Sequence, residues 1–597
     1  MQQRTLSAAQ KWNTRIKNWQ NRWRIHSLAR QVILHGRPSK VPAGITPAKP
    51  VVFFNASTRI AGVSQNAAFA FLLSSSLQLA GVPVVHFACK SGLIRCVQGT
   101  NKDQPLQPMP CRACISLSAQ LYGNGLAIPF TYPDKQEADA GLSELARRIE
   151  NLSVTEMTEL EHPFSPTGGT IPLGALVVPS LRWILRRHHL PDDEATRTLM
   201  REIILSAFFT AEQFDQLIET IQPQAAVIFN GLFFPEAAAC WVARAHGLRT
   251  ITHEVGYQRF SAFFSDDAGG ATAYPIHIPE NYQLTPEQNS HLDTYLEARF
   301  QGQFTMAGIR FWPEMRGLDE ALLRKMQEFR QVVPIFTNVV FDTSQVHANT
   351  VFPHMFAWLD LLLELIRRYP DTLFVIRAHP DEMRPGSRKQ SRESVREWVQ
   401  TNQVQDLPNV VFIDSQEYAS SYELIQKAKF VIVYNSSIGL EAALIGAPVL
   451  CGGRARYTQV PADTPHPVVF FPQGQKAFQD QAEDFLQAET ISVPAEFQKN
   501  ARIFLYFQLY KSSISFEQYL TSSPRAGFVH LKKFHWQQLM PDGRSLSDGR
   551  SLSANSREMQ ILVDGILNKD VNRSPFLNPD ETRQVNDNIE TSDESNE

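Results

Sequence analysis

From residue 51 onward, short continuous apolar runs alternate with longer amphipathic stretches. The run 51–55 predicts a strand, 65–79 a helix and 82–88 a second strand, a β-α-β opening. The rhythm returns with a strand over 225–230, a helix over 235–246 and a strand over 248–253; helical, more polar material fills the interval. A second series starts with a strand at 332–338 and runs through a helix at 355–368 and strands at 373–377 and 410–413. It continues with a helix at 418–427, a strand at 430–434, a helix from 438 and a strand at 448–451. Each series predicts a doubly wound domain, so the expected fold class is α/β with two Rossmann-like lobes. Ligands of such sheets bind at the carboxyl ends of the strands, and two facing sheets make a cleft. The expected division is 1–50 for an N-terminal basic helix and linker, 51–330 for the first lobe, 331–495 for the second, 496–535 for a closing helical segment and 536–597 for a mostly disordered tail.

The first segment has a pattern of its own. Residues 7–34 predict a helix rich in basic groups, with Trp12, Trp19 and Trp23 spaced by seven and four, hence on one face. That face suits packing on the body of the protein, the preferred reading, or resting on an anionic bilayer. Residues 37–50 read as a Pro-rich linker, and 542–547 is copied as 548–553 in a polar tandem repeat. A net charge of -3 hides an asymmetry: residues 1–102 hold fourteen Lys or Arg and no acid, and the segment from Pro575 holds seven acids against one Arg. The cationic front end favours anionic partners such as lipid, nucleotide phosphate or acidic glycan, and nothing points to nucleic acid. The longest apolar stretch, 67–85, is interrupted by three serines and ends in Gly-Val-Pro, so no membrane span is expected. With no secretory leader either, the expected location is the cytoplasm, with peripheral contact at the inner face of the membrane.

Two loops carry the strongest chemistry. Arg377-Ala378-His379-Pro380-Asp381-Glu382 directly follows an apolar strand, where a ligand loop belongs; Arg377 and His379 can offer charge or donors to a phosphate, and Pro380 fixes the backbone. His379 capping a turn is the plainer alternative. Tyr434-Asn435-Ser436-Ser437-Ile438-Gly439-Leu440-Glu441 is again strand, polar turn and helix start. The hydroxyls of Ser436 and Ser437, with the unpaired amides of the turn, form a natural pyrophosphate cradle, and Glu441 can accept from a ribose diol. Simple N-capping also accounts for the serines. Asn338, Thr343 and Ser344, after the first strand of the second lobe, are placed to line the donor phosphates, and Ser57, Thr58 and Arg59 to meet the acceptor.

A His-Pro pair after one strand and a Ser-Ser turn with a downstream Gly-x-Glu (Gly439, Glu441) after a later one resemble the donor lobe of GT-B glycosyltransferases. The closer likeness is to the capsule polysaccharide biosynthesis family, and it extends loosely to bacterial sialyltransferases and Kdo transferases. The resemblance covers chiefly residues 332–461. It implies a GT-B enzyme that moves a sugar from a nucleotide donor, CMP- or UDP-linked, to a surface or capsular glycan with inversion. It assigns donor contact to His379, Pro380, Ser436 and Ser437, with Arg377 and Glu441 following by position. It also implies an acidic general base before a Gly in the first lobe, best matched by Glu254 within His253-Glu254-Val255-Gly256, although the family's two adjacent acids are not kept. Asp266-Asp267-Ala268-Gly269 is the rival match. No Asp-x-Asp pair follows a strand, so no catalytic metal is expected.

Six cysteines in a chain of this length suggest reduced thiols. Cys89, Cys96, Cys111 and Cys114 fall within 26 residues and admit a structural zinc site, with His86 a substitute ligand, as well as unpaired buried thiols or redox chemistry. The same two-lobed architecture also serves nucleotide-sugar epimerases and glycerophosphate transferases, and a non-catalytic scaffold of a polysaccharide assembly is a further reading.

Overall fold

In the computed structural model the two predicted series become two parallel sheets. The structure describes residues 8–36, 49–56, 62–133, 140–164, 168–301, 305–306, 309–310, 316–383, 390–458, 466–523, 527–541, 556–567 and 576–577. Ser57, Thr58, Arg59, most of the linker and the tandem repeat lie outside the described residues.

The first lobe holds β1 (Val51–Asn55), β2 (Val84–Cys89), β3 (Leu126–Phe130), β4 (Ala225–Phe229) and β5 (Arg249–Val255), parallel in the order β3-β2-β1-β4-β5. A hairpin strand, β6 (Ser261–Ser265), runs back antiparallel along β5. Strand β3 was not expected; it is a largely exposed edge strand without the apolar run that marks the others. The second lobe holds β7 (Gln331–Phe336), β8 (Thr372–Arg377), β9 (Val410–Ile413), β10 (Val431–Val433) and β11 (Val449–Cys451), all parallel, in the order β9-β8-β7-β10-β11. Both sheets therefore reverse direction of winding, at β1/β4 and at β7/β10, and a crevice opens at the carboxyl ends of those strand pairs. Strands β1 and β7 are buried at every position, as a sheet covered on both faces requires. This is the two-lobed GT-B arrangement.

The helices used below are α1 (Ala8–His35), α2 (Gln65–Leu79), α3 (Cys111–Leu121), α4 (Leu173–Leu185), α5 (Pro286–Phe300), α6 (Met355–Arg368), α7 (Ile438–Ile445), α8 (Ala495–Tyr506) and α9 (Arg557–Leu567). Leu292 and Leu296 of α5, with Leu318, Leu322 and Met326, join the core of the second lobe, which thus begins well before residue 331. After α8, a π-helical turn over Phe507–Lys511 leads to β12 (Ile514–Ser515), which pairs antiparallel with β6. The chain thereby returns to the first lobe. Residues 557–567, expected in the tail, form α9 instead. Its stripe of Met559, Leu562, Val563 and Ile566 is buried with α1 and α2, an i, i+3, i+4, i+7 pattern short enough to be missed among polar neighbours.

Helix α1 buries the face carrying Ile25, Leu28, Ala29 and Val32, while Trp12, Trp19 and Trp23 point to solvent, 64%, 66% and 63% exposed. The preferred packing of the tryptophan stripe on the body is therefore wrong. Asn21 and Arg24 moor the helix by hydrogen bonds with the Leu531 backbone at 2.8 and 2.6 Å.

Two buried imidazoles of the first lobe contribute to the acid response. His86, a substitute zinc ligand in the sequence reading, instead lies in a polar chain from Asn55 (3.0 Å) to Asn124 (2.9 Å), which in turn donates to Ser74 and Ser75 of α2. Burial pulls its pKa down to about 4. His253, expected beside the catalytic base, is buried between Phe229 and Phe264, its Nδ1 has no hydrogen-bond partner, and burial pulls its pKa down to about 3. Neither imidazole is protonated in the folded chain near neutral pH, whereas the unfolded chain takes up these protons below about pH 6.5. Stability is thus fully present above that pH and declines as pH falls toward the folded values. Replacing His253 by Leu removes one such proton and is expected to recover roughly 2 kcal/mol of the stability lost between about pH 7 and pH 5, measured by denaturant unfolding. Identical pH dependence in variant and parent would refute the assignment.

Candidate functional site

The crevices of the two sheets face each other, and the first lobe contributes an acid. Glu254 lies near the end of β5, where strand alternation sends His253 and Glu254 to opposite faces. Its carboxylate accepts from Asn66 Nδ2 (3.2 Å), Asn230 Nδ2 (2.7 Å) and the Val255 amide (2.8 Å). Asn230 follows β4 directly, at the switch point, in the left-handed conformation (φ 63°) that Asn tolerates. Its own Oδ1 accepts from the Leu232 amide at 3.1 Å, which aims the amide group at Glu254. The rival acids are engaged elsewhere: Asp266 pairs with Arg249 at 2.9 Å, and Asp267 Oδ1 accepts from the Gly269 amide at 2.7 Å inside its own turn.

From the second lobe, the loop after β11 carries Arg456 across to this acid. Its guanidinium lies 3.7 Å from the centre of the Tyr274 ring and donates to the Tyr257 hydroxyl. Burial draws its pKa down to about 10, opposed by the charge of Glu254. Tyr274 donates in turn to the Val255 carbonyl at 2.5 Å, and burial, with the charges of Glu254 and Asp342, raises its pKa. The acid and the cation therefore lie near each other across the lobes, with Tyr274 close to both and Tyr257 bonded to the cation. A further bridge between the lobes joins Thr272 Oγ1 and His347 Nε2 at 3.0 Å.

The switch-point loops of the second lobe are tied together by Asn338 Nδ2, which donates to Asn435 Oδ1 at 2.7 Å, with Gln345 Nε2 on the same oxygen at 3.3 Å. Beyond Asn435, Ser437 stands at the N-terminus of α7 with helical backbone angles and makes no side-chain capping bond. The plain capping reading of the serines thus fails. Neither the hydroxyls nor the backbone amides of Ser436 and Ser437 donate to any described residue. The turn is held from behind by Tyr457, whose hydroxyl donates to the Ser436 carbonyl at 2.7 Å. Gly439 is needed for that brace, since a Cβ there would sit 2.2 Å from the tyrosine oxygen.

The remaining predicted residues divide. His379 follows β8, partly exposed, and its Nδ1 accepts from the Asp381 amide at 3.1 Å, so it does cap its turn, as Pro380 continues the loop. Ser344 Oγ is turned to Asp342 at 2.8 Å. Arg377 is buried, donates to the Glu417 carbonyl at 3.2 Å, and has its pKa drawn down to about 10 by burial. Glu441 is the clearest departure: its two oxygens are taken by Arg299 of α5 and by the Tyr422 hydroxyl (2.5 Å), in a buried ion pair that fastens α5 to α7. A buried pair broken on one side costs about 3–5 kcal/mol, so this carboxylate serves the packing of the lobe.

Cys89, Cys96, Cys111 and Cys114 converge on one small cavity between β2 and α3, together with Met109 and Leu93. Burial raises the thiol pKa values of Cys89 and Cys96 to about 12 and of Cys114 to about 11. Among the described residues the four cysteines do not form a group whose ligand atoms come together closely enough to hold a metal ion. Arg456, Asn230 and Tyr274 escaped sequence reasoning. An arginine in Gly452-Gly453-Arg454-Ala455-Arg456 after the last strand, and Asn230-Gly231 after β4, were signals available at the switch-point positions.

Residues 290–460 match the family model described as Capsule polysaccharide biosynthesis protein. A sequence comparison with curated proteins gives no match. Among solved structures, KpsC of Thermosulfurimonas dismutans, a beta Kdo 2,4 transferase, shares 14% identity over 52% of this chain and 84% of its own, with a TM-score of 0.31. The beta Kdo 2,7 transferase of the same KpsC gives 14% identity over 54% and 85%, with a TM-score of 0.25. UDP-GlcNAc 2-epimerase from Neisseria meningitidis gives 12% over 76% and 98%, with a TM-score of 0.21. TM-scores this low carry no argument about fold or chemistry. The sequence match spans the loops bearing His379, Ser436 and Arg456, and in it the second lobe of this chain is similar to the capsule polysaccharide biosynthesis family.

Proposed function

We propose that the protein is a glycosyltransferase that moves a sugar from a nucleotide-activated donor, CMP- or UDP-linked, to a surface or capsular polysaccharide acceptor with inversion. The observation that carries this reading is the approach of Arg456, from the second lobe, to Glu254 of the first, together with a Ser436–Ser437 turn at the switch point of the second lobe whose donors meet no described residue. In this mechanism the donor phosphate sits on the amides and hydroxyls of Ser436 and Ser437 at the positive end of α7. Glu254, steered by Asn66 and Asn230, takes the proton from the acceptor hydroxyl as its oxygen attacks the anomeric carbon from the face opposite the leaving nucleotide. Arg456 offsets the charge that develops on the departing phosphate, or pairs with a carboxylate on the sugar. No step calls on a metal ion.

We further propose that α1 rests on the membrane face where such acceptors are assembled. Trp12, Ile16, Trp19, Trp23, Ile33 and Leu34 are six of the nine exposed large apolar side chains among the described residues. Trp12, Ile16, Trp19 and Trp23 follow the i, i+4, i+7, i+11 stripe opposite the buried face, among Arg15, Lys17 and Arg22 and with no acid in the helix. No helix of the described residues is long and apolar enough to cross a membrane.

Glu254→Gln is expected to lower turnover by about 10²–10⁴-fold while leaving donor affinity within a factor of about two, read from product formation and donor calorimetry. Undiminished turnover would remove Glu254 as the base. The double change Ser436→Ala/Ser437→Ala should instead weaken donor binding by roughly ten- to a hundredfold; unchanged affinity would dismiss the cradle. For α1, Trp12→Ala/Trp19→Ala/Trp23→Ala should abolish salt-sensitive sedimentation with anionic vesicles and spare nucleotide binding. A parent chain that ignores such vesicles would contradict the membrane contact.

A further inference from the structure

A second set of contacts joins the lobes through residues that take no part in the cleft. Helix α4 ends at Arg186 in a left-handed turn (φ 59°), and the chain then presents His188 and His189 toward the second lobe. The Arg392 amide donates to the Arg186 carbonyl at 2.8 Å, and Asp103 pairs with both Arg186 (2.5 Å) and Arg392 (3.2 Å). Glu393 receives the turn itself: Oε2 accepts from the His188 and His189 amides at 2.8 and 2.9 Å, and Oε1 meets His189 Nδ1 at 2.5 Å. From the second lobe His354, at the head of α6, packs against the pair, tilted to His188 and edge-on to His189, its ring centre 4.7 Å from His188 and 5.0 Å from His189.

One ring nitrogen from each of the three histidines lies within 4.8 Å of the other two. We infer that His188, His189 and His354 form a transition-metal site of the zinc class that clips the two lobes together. Three imidazoles are a complete donor set for zinc with a fourth position left to water, and His189 is open to solvent at 57% of its side chain, which supplies the entry path. The carboxylate of Glu393 on His189 Nδ1 turns Nε2 outward and fixes the tautomer, the arrangement that orients metal-bound histidines in general. Its charge also offsets Arg182, whose Nε donates to the His188 carbonyl at 2.9 Å.

His354 sets the strength of the clip. Its Nδ1 accepts from the Ala357 amide at 3.1 Å, so the neutral ring holds its proton on Nε2. Ligation through Nε2 moves that proton to Nδ1 and gives up the cap of α6, with no net change in charge. The site is therefore weaker than a dedicated structural zinc centre, and binding reports on lobe closure because its ligands come from both lobes. The inference is independent of the transferase reading.

The test is titration of the chelator-stripped full chain with Co²⁺, followed by visible absorption. The expected result is one Co²⁺ per chain with ligand-field bands of a low-coordinate nitrogen site, reversed by Zn²⁺. His189→Ala and His354→Asn should each weaken binding by at least about tenfold. Asn keeps an acceptor for the Ala357 amide, so unchanged circular dichroism and Tm in His354→Asn separate loss of the ligand from loss of the fold. An aqueous Co²⁺ spectrum throughout, or bands that persist in both variants, would overturn the inference. So would sulfur-to-cobalt charge transfer that disappears in Cys111→Ser/Cys114→Ser, which would place the metal at the cysteine cavity.

Discussion

A guanidinium drawn out of water must be given partners, and among the described residues Arg456 finds them across the gap between the lobes. The Tyr274 ring, the Tyr257 hydroxyl and the charge of Glu254 all belong to the first lobe, while Arg456 rides on the loop after the last strand of the second. The rest of the molecule can be read as what holds that juxtaposition. Two sheets share the same reversal of strand order, loops beyond their strands touch at Arg456–Tyr257 and Thr272–His347, and β12 sews the chain back onto the first sheet after the second lobe is complete. The buried Arg299–Glu441 pair fixes α5 against α7, which keeps the Ser436–Ser437 turn at its height above β10.

The burial pattern explains how much of this was legible. Strands enclosed on both faces are continuous apolar runs, so β1, β4, β7, β8 and β10 and the loops after them were found from residue type alone. Edge strand β3 and helix α9 were not, because each is short and its apolar positions are diluted by polar neighbours. Within the site, period-two alternation separates His253 from Glu254, and that rule was available without coordinates: one of the two had to face the core. Glu441 misled for the opposite reason. Its position in the first turn of a helix is local information, whereas the partner that claims it, Arg299, lies 142 residues away in sequence. Arg456 was hidden in the same manner, since nothing local says which loop will cross the cleft.

The amphipathic first helix shows the limit of pattern in a different form. Spacing placed the tryptophans on one face, but spacing cannot tell an inward face from an outward one; only the burial of Ile25, Leu28, Ala29 and Val32 decides it. An outward row of tryptophans among basic groups is the pattern of a helix that meets an interface, which is the ground for the membrane contact proposed above.

The measurement that bears most directly on the account is nucleotide release from CMP-, UDP- and GDP-activated sugars, with and without membrane glycan as acceptor. The account predicts release from a CMP- or UDP-linked donor that rises when acceptor is added. No release and no binding with any donor would contradict it, and would leave the paired lobes as a scaffold.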